Sequence, residues 1–324
     1  MSADDLTLRQ QLKTSTSSER FRQELAYAWR QVKRHRWMYA FLLPTLLYFI
    51  IFHYVPMYGI VISFKDYSPF VGIADSPWVG LKHFERFFQS IFFFRLLRNT
   101  LLLNVYSLIF GFPLSIILAL MLNEVRSSFF RRTSQTVSYL PYFISTVVVV
   151  GMIVNFLSTS GLVNIIIKEF WGQTTPFLSD PRWFRSVYVA SGIWQNVGWG
   201  SIIYLAALAG IDPQLYDAAE VDGAGRFQKI RHISLPSILP VIMILLLFNL
   251  GSLLSVGFEK VVLLYNPAVY ETGDVISTYV YRAGLLGQQF SFGTAVGLFN
   301  AIVNLVLLTV FNRLAKRFGQ QSLW

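Results

Sequence analysis

Residues 212–236 read DPQLYDAAEVDGAGRFQKIRHISLP, a largely polar stretch between two long apolar ones. Residues 186–211 before it, and residues 233–258, which begin within its last four residues, contain no Asp, Glu, Lys or Arg. Each apolar stretch exceeds the roughly 20 residues that a helix needs to cross the hydrocarbon core of a bilayer. The stretch at 212–236 is therefore predicted to be a loop between two membrane-spanning helices.

The loop carries local signals for two short helices at a sharp angle. Asp212 is a good helix N-cap, and Pro213 suits the first helical position. About two helical turns are expected to follow, and Gly223 offers the left-handed turn that ends them. A second short helix is predicted over 225–233. We expect Ser234-Leu-Pro236 to close it, because proline disfavours helix in the residue before it.

The rest of the chain is equally apolar. Of its 324 residues 54% are apolar and 14% are charged, against about 25% charged in soluble domains. Four more stretches lack charged side chains, namely 37–64, 99–123, 133–167 and 283–312. Helices satisfy their own backbone groups, which lipid cannot do. We predict an all-α membrane protein with six transmembrane helices near 38–62, 99–122, 136–158, 187–209, 238–257 and 293–312.

The basic residues predict the orientation. Most of the 27 Lys and Arg fall on one side of the six-helix arrangement, which places both termini and the 212–236 loop in the cytoplasm. Residues 1–37 then form a basic cytoplasmic segment, 38–312 the transmembrane domain and 313–324 a cytoplasmic tail. Part of the first segment is either an amphipathic helix on the membrane surface or a disordered tail. Basic residues beside the spans account for the net charge of +10, so nucleic-acid binding is disfavoured.

Several kinds of chemistry are excluded or disfavoured. The chain has no cysteine, so disulfides and thiolate metal sites are excluded, and its four histidines are too scattered to predict a metal site. It lacks a Gly-x-x-x-x-Gly-Lys-Ser/Thr phosphate loop, and no grouping of residues indicates catalysis. The predicted spans also lack central acidic residues, which disfavours a proton-coupled carrier. We therefore predict a protein that is not an enzyme and holds no cofactor.

The 212–236 loop resembles the EAA motif of ABC importer permeases, the cytoplasmic segment that docks on ATPase subunits. The matching residues, at matching spacing, are Asp217, Ala218, Ala219, Asp222, Gly223, Ala224, Ile233, Ser234, Leu235 and Pro236. Asp217 stands where the motif has glutamate, so its carboxylate reaches one methylene less far. Residues 139–145, YLPYFIS, and the overall layout resemble the carbohydrate permeases related to the maltose system.

The resemblance implies a fold, a function and partners. The fold is that of a type I ABC importer permease, and coupling to the ATPase is assigned to the motif residues, Leu235 and Pro236 included. The chain is expected in the bacterial cytoplasmic membrane, with a second related permease, two ATP-binding subunits that hold ATP and Mg²⁺, and an external sugar-binding protein. Within this family it resembles the branch that imports polysaccharides, which implies alginate or a similar acidic polymer.

A sugar pathway needs aromatic faces, amides and hydroxyls inside the bundle. The candidates are Tyr188, Gly192, Gln195, Asn196, Trp199, Asn249 and Ser252. The alternative is that the tryptophans are interface anchors and the Asn and Ser side chains bond helix to helix. For an acidic sugar, basic groups near the outer mouth are further candidates, namely Arg182, Arg185, Lys260 and Arg282.

Three other functions stay open at this point. The motif does not separate solutes, so a permease of the same architecture for a neutral oligosaccharide or a peptide is an alternative. A membrane protein outside the ABC class is another. An intramembrane enzyme such as a glycosyltransferase would need clustered carboxylates or metal ligands near the membrane surface, and the carboxylates of this sequence do not cluster.

Overall fold

The computed structural model describes Trp29, Lys33 and residues 36–317, and it divides the chain into two units, Met1–Val61 and Ile62–Trp324. The first unit contains helix α1, Arg36–Phe49, a π turn at Ile50–Tyr54 and the short helix α2, Val55–Met57. A 3₁₀ segment, Tyr58–Phe64, follows. The predicted terminal segments 1–37 and 313–324 lie largely outside the described residues.

The second unit is helical, with one isolated β-bridge between Lys65 and Trp78 among the described residues. Its helices are α3 Gly72–Asp75, α4 Lys82–Phe88, α5 Phe93–Tyr106, α6 Phe112–Glu124, α7 Ser128–Tyr139, α8 Thr146–Leu157, α9 Leu162–Trp171, α10 Pro181–Ala209, α11 Pro213–Val221, α12 Arg226–Lys229, α13 Leu235–Gly251, α14 Phe258–Leu264, α15 Tyr270–Gly273, α16 Ile276–Tyr279 and α17 Phe290–Arg317. Between them lie π turns at Ser107–Gly111, Ile230–Ser234 and Val280–Leu286, and 3₁₀ turns at Leu140–Phe143 and Pro267–Val269.

Five helical stretches in the described part of the chain are long and apolar enough to cross a membrane. They are Arg36–Phe64, Phe93–Glu124, Thr146–Trp171, Arg226–Gly251 and Phe290–Leu314. The predicted span at 187–209 lies within α10, which has 29 residues but is not among the five. Its sequence includes two arginines, Gln195 and Asn196, which make it more polar than the others.

The third and fifth predicted spans had wrong boundaries. The chain is not helical throughout 136–158, because α7 ends before the Leu140–Phe143 turn and α8 begins only at Thr146, with Ser145 as its N-cap. The fifth span was predicted at 238–257, but its helix ends at Gly251. After Gly251 the chain turns, and the Leu254 backbone N–H donates to Asn304 Oδ1 of α17 at 3.0 Å.

The prediction that Ser234-Leu-Pro236 closes the second loop helix was wrong. The helix runs without interruption over Arg226–Gly251. A π turn at Ile230–Ser234 ends two residues before Pro236. Proline has no N–H to donate, and its ring clashes with a carbonyl one turn back in a regular α-helix. The wider π turn shifts the hydrogen-bond ladder, so the chain passes Pro236 while remaining helical.

Helix α10 lies at the centre of the second unit and packs on α6, α7, α13 and α15. Glycine permits the approach to α7, because a Cβ at Gly198 would overlap the Ser138 carbonyl oxygen. Tyr204 and Leu208 of α10 are buried with Ile238 of α13 in one apolar cluster. The central helix thus contacts both the spans around it and the helix that leaves the 212–236 loop.

Candidate functional site

A cavity of about 850 Å³ lies beside α10. Its walls come from the α5–α6 region, residues 142–146, α10, α13 and the start of α14. The polar side chains that line it are Asn104, Ser107, Ser115, Tyr142, Ser145, Thr146, Tyr188, Gln195, Asn196, Tyr204, Asn249, Ser252, Glu259 and Lys260. Hydroxyls, amides and aromatic rings thus face one space inside a helical membrane protein, where polar groups usually line a wet cavity.

Six of the seven predicted pathway residues line this cavity. They are Tyr188, Gly192, Gln195, Asn196, Asn249 and Ser252. Trp199 does not line it. Its ring instead stacks on Tyr142, with centroids 4.5 Å apart and planes 4° from parallel, and meets Phe143 edge-on at 5.5 Å. Trp199 therefore holds the ring of a cavity residue in place.

The amides of the cavity differ in what they bind. Asn196 Nδ2 donates to the Gly192 carbonyl at 2.8 Å, and Asn249 Nδ2 donates to the Leu245 carbonyl at 2.8 Å. Both bonds lie within a single helix, so these two residues do not join helices through them. Gln195 Nε2, by contrast, donates at 3.1 Å to the carbonyl of Ile144, which precedes α8. Gln195 is thus the member of this group that links two segments.

Of the four predicted basic candidates, Lys260 is the one that lines the cavity. Its Nζ donates to the Tyr188 carbonyl at 3.0 Å and lies 4.8 Å from the centroid of the Tyr188 ring. Burial lowers the pKa of Lys260 to about 8, which leaves the ammonium mostly protonated at neutral pH. The cavity therefore contains a buried positive charge.

The other basic candidates lie elsewhere. Arg282 binds the buried Asp274 through two nitrogens, at 2.7 and 3.2 Å. Arg185 donates to Asn99 Oδ1 at 2.9 Å, and Asn99 Nδ2 in turn donates to the Asp274 carbonyl at 3.0 Å. Arg182 is exposed at the start of α10. The polar cluster around Asp274 and Asn99, which the sequence did not predict, fastens α15 and α16 to α5 and α10.

The first helix of the 212–236 loop has the predicted form. The Asp212 side chain accepts a hydrogen bond from the Gln214 backbone N–H at 3.0 Å and caps α11. At the other end the Ala224 N–H donates to the Ala219 carbonyl at 2.8 Å, and the Gly223 N–H donates to the Glu220 carbonyl at 3.1 Å. These two bonds define a Schellman motif, which needs a left-handed residue such as Gly223, whose φ is +75°.

Side chains fasten this helix to the next one. Lys229 Nζ lies 2.7 Å from Glu220 Oε2, and this hydrogen bond keeps the pKa of the Glu220 carboxyl below its ordinary value. The Tyr216 hydroxyl and Ser234 Oγ are 2.9 Å apart, and Ser234 is fully buried. The Gly225 N–H donates to Gln228 Oε1 at 2.7 Å. We call residues 212–236 the knob. These bonds hold its first helix, α11, rigidly against the start of the Arg226–Gly251 helix.

The outer surface of the knob combines charge with small and apolar groups. Asp217, Ala218, Asp222 and Gly223 are exposed, and so are Leu235 and Pro236 at its base, whereas Ala219 and Ala224 are half-buried. Two large apolar side chains that the sequence analysis did not single out also project outward. Val221 is 88% exposed and Phe227 is 75% exposed. Neither side chain is packed by the part of the chain that the structure describes.

Residues 111–321, which include most of the cavity wall and the whole knob, match the family model of the binding-protein-dependent transport system inner membrane component. The chain belongs to this family. This membership confirms the resemblance seen in the sequence. The protein is thus a multi-pass inner-membrane permease subunit of an ABC transporter, which is a non-enzymatic component, and no cofactor is expected in this chain.

Individual members of the family are similar over nearly the whole chain. The polygalacturonan/rhamnogalacturonan transport system permease protein YteP of Bacillus subtilis is 48% identical, with 90% of this chain and 91% of that protein covered. The protein LplB of the same organism is 46% identical, with 90% and 92% covered.

A solved structure has the same fold. It is the crystal structure of a bacterial ABC transporter involved in the import of the acidic polysaccharide alginate, and one of its chains is 48% identical to this one. The match has a TM-score of 0.84 and covers 90% of this chain and 99% of that one. A second structure, with a TM-score of 0.84 and 47% identity over 91% and 99% of the two chains, contains an alginate ABC transporter in complex with a periplasmic protein bound to an alginate pentasaccharide. The fold is therefore that of an ABC importer permease.

Proposed function

We propose that this permease imports acidic oligo- or polysaccharides, alginate or a similar uronate polymer, and forms half of their translocation pathway. The observation that carries the proposal is the cavity beside α10, in which aromatic rings, amides and hydroxyls accompany the buried ammonium of Lys260. Aromatic rings contact the C–H faces of sugars, amides and hydroxyls bind their hydroxyl groups, and an ammonium favours a carboxylate.

The relatives support the acidic class of sugar. YteP is named for polygalacturonan and rhamnogalacturonan, and the structural relative was solved as an importer of the acidic polysaccharide alginate. Both names refer to sugars that carry carboxylates. A neutral oligosaccharide or a peptide is the competing solute for this architecture.

In this proposal α10 is the fourth of six spans and joins the five apolar helical stretches as a membrane-crossing helix. At 1.5 Å per residue its 29 residues extend over about 43 Å, which exceeds the roughly 30 Å hydrocarbon core. Its packing on four neighbouring helices reduces its contact with lipid, so it needs less apolar surface than an outer helix. With six spans both termini and the 212–236 knob lie on the same side of the membrane, and the excess of basic residues on that side makes us expect it to be the cytoplasm. Tags at Arg131 and Gly225 should report cytoplasm, and tags at Asp75, Gly172 and Thr272 the outside.

The knob docks on an ATP-binding subunit and transmits its motion. Its capped helix, its Schellman turn and its bond to Ser234 make it stiff enough to move as a body with the Arg226–Gly251 helix. Each permease chain has a single knob, which fills the groove of one ATPase subunit. The complete importer therefore has this chain, a second related permease, two ATP-binding subunits and an external binding protein.

The test is to purify the intact complex from native membranes, reconstitute it in nanodiscs and measure its ATPase rate with its binding protein. Oligogalacturonides or alginate oligosaccharides should raise the rate several-fold, whereas neutral oligosaccharides and peptides should not. Stimulation by a neutral sugar or a peptide alone would overturn the acidic class while leaving the permease function intact. A chain that transports as a stable monomer would overturn the assembly.

A further inference from the structure

Lys260 is a buried cation that no carboxylate neutralises within the part of the chain that the structure describes. The residue is 8% exposed, and it takes part in none of the ion pairs formed by the described side chains. Removing an ammonium from water without a counter-charge is unfavourable. The position of Lys260 therefore does not stabilise the fold by itself.

The hydrogen bond to Tyr188 does not explain this lysine either. Tyr188 lies inside α10, where its carbonyl belongs to the intrahelical ladder. The same carbonyl also accepts from Ser191 Oγ at 3.1 Å, so it has other partners without the ammonium. A lysine ammonium has three N–H donors, and this contact uses one of them. Donors thus remain for a further acceptor.

The cavity gives such an acceptor access to the ammonium. Lys260 and Gly192 both line it, and a Cβ at Gly192 would lie 3.3 Å from Lys260 Nζ. The missing side chain at Gly192 therefore keeps the space next to the ammonium open. The Tyr188 ring, 4.8 Å from the same nitrogen, and the Asn196 amide line the adjoining wall.

We propose that Lys260 binds the carboxylate of a uronate unit inside the cavity and makes the pathway selective for acidic sugars; this inference rests on the function proposed above. A uronate presents a carboxylate next to C–H and hydroxyl groups, which matches an ammonium beside an aromatic ring and an amide. Glu259 also lines the cavity, but it is exposed, so water screens its charge more than that of the buried Lys260.

Lysine suits a site that substrate passes through. Its ammonium is a compact point charge with three rotatable donors, whereas an arginine guanidinium holds a carboxylate in a fixed two-bond geometry. A point charge binds successive carboxylates of a chain without fixing the orientation of each sugar. Lys260→Arg is therefore expected to preserve selectivity for acidic sugars, and an uncharged replacement is expected to abolish it.

The experiment compares two sugars in proteoliposomes that contain the complete importer and its binding protein. One sugar is pentagalacturonate, and the other is its methyl ester, which has the same length but no charge. The variants are Lys260→Met, Lys260→Gln and Lys260→Arg. Lys316→Met is the matched control, because it makes the same change at an exposed lysine near the end of α17.

Lys260→Met and Lys260→Gln should reduce pentagalacturonate uptake about tenfold or more and change methyl-ester uptake by less than about twofold. Lys260→Arg and Lys316→Met should keep most of the acidic-sugar uptake. Unchanged pentagalacturonate uptake in Lys260→Met would overturn the inference, and so would an equal loss for both sugars or failure of both uncharged variants to assemble. If the wild-type importer takes up neither pentagalacturonate nor its methyl ester but imports another, neutral sugar, the proposed function is wrong, and so is this inference.

Discussion

Lys229 Nζ lies 2.7 Å from Glu220 Oε2 and fastens the second helix of the 212–236 knob to the first. The two residues stand on opposite sides of the Gly223 turn, so their contact fixes the angle between α11 and α12. Because the pair is at the surface, with the Glu220 side chain 79% exposed, its effect on stability is modest. We expect the pair mainly to limit the movement of the knob.

Breaking this pair should loosen the knob without unfolding the protein. Glu220→Gln or Lys229→Met is expected to speed hydrogen exchange of the α11 amides at pH 7 by less than about fivefold. The charge swap Glu220→Lys with Lys229→Glu should restore part of the protection. The lowered pKa of Glu220 means that the pair is present at neutral pH and is lost only as pH falls through that pKa. Equal exchange rates in all variants at pH 7 would contradict this role.

Gly223→Val should separate the ATPase subunits from the permease. A β-branched residue in a left-handed conformation costs on the order of 1–2 kcal/mol, and the new side chain adds bulk on the exposed turn. Co-purification of the ATPase subunits measures the effect. Gly172→Val is the matched control, because Gly172 has a similar φ of +72° and equally open surroundings but lies outside the knob. Equal retention of ATPase by both variants would remove the Gly223 turn from the coupling surface.

Asp217→Ala should weaken the complex with the ATPase subunits, and Asp217→Glu should be tolerated. The Asp217 side chain is exposed on the knob and is available to a basic group of the partner. Loss of one charge-assisted hydrogen bond corresponds to about tenfold or more in affinity. Co-purification and sugar uptake should fall together. If Asp217→Ala retains both at wild-type levels, the carboxylate does not take part in docking.

Gly198→Ala should destabilise the second unit. The added Cβ would overlap the Ser138 carbonyl oxygen of α7, which is backbone and cannot rotate away. Forcing a methyl group into a packed contact typically costs about 1–3 kcal/mol. Gly151→Ala in α8 is the control, since a Cβ at Gly151 would meet no atom within 4 Å. A thermal unfolding scan of the purified complex should give a lower midpoint for Gly198→Ala alone, and equal midpoints would refute the close contact.

Asn196→Ala and Trp199→Ala should both lower substrate-stimulated ATPase activity, for different reasons. Asn196 lines the cavity and loses an amide that faces the sugar. Trp199 acts through Tyr142, whose stacked ring is freed when the indole is removed. The complex should assemble normally in both cases, as size-exclusion chromatography would show. If the sugar stimulates the ATPase activity of either variant as much as that of the wild type, that residue has a purely structural role.

The sequence determined the features that depend on neighbours along the chain. Long apolar stretches place most spans, because a helix in lipid needs about 20 apolar residues whatever surrounds it. The first knob helix was predicted from Asp212 and Pro213, and its end from Gly223, since capping and left-handed turns are set within a few residues. The residues expected to couple to the ATPase came instead from the resemblance to the EAA motif at matching spacing, and their role stays a prediction.

Tertiary structure decided the features that depend on residues far apart in sequence. Pro236 was expected to end a helix, but the helix continues through a π turn, and its Ile238 is buried against Tyr204 and Leu208 of α10. Trp199 was expected on the pathway, but it packs against Tyr142 from another segment. From the sequence, Lys260 was one of four equivalent basic candidates. In the structure, α14 brings it into contact with Tyr188, 72 residues away along the chain. Sequence gives the charge of a lysine, but only packing determines whether that charge is buried, paired or open to a cavity.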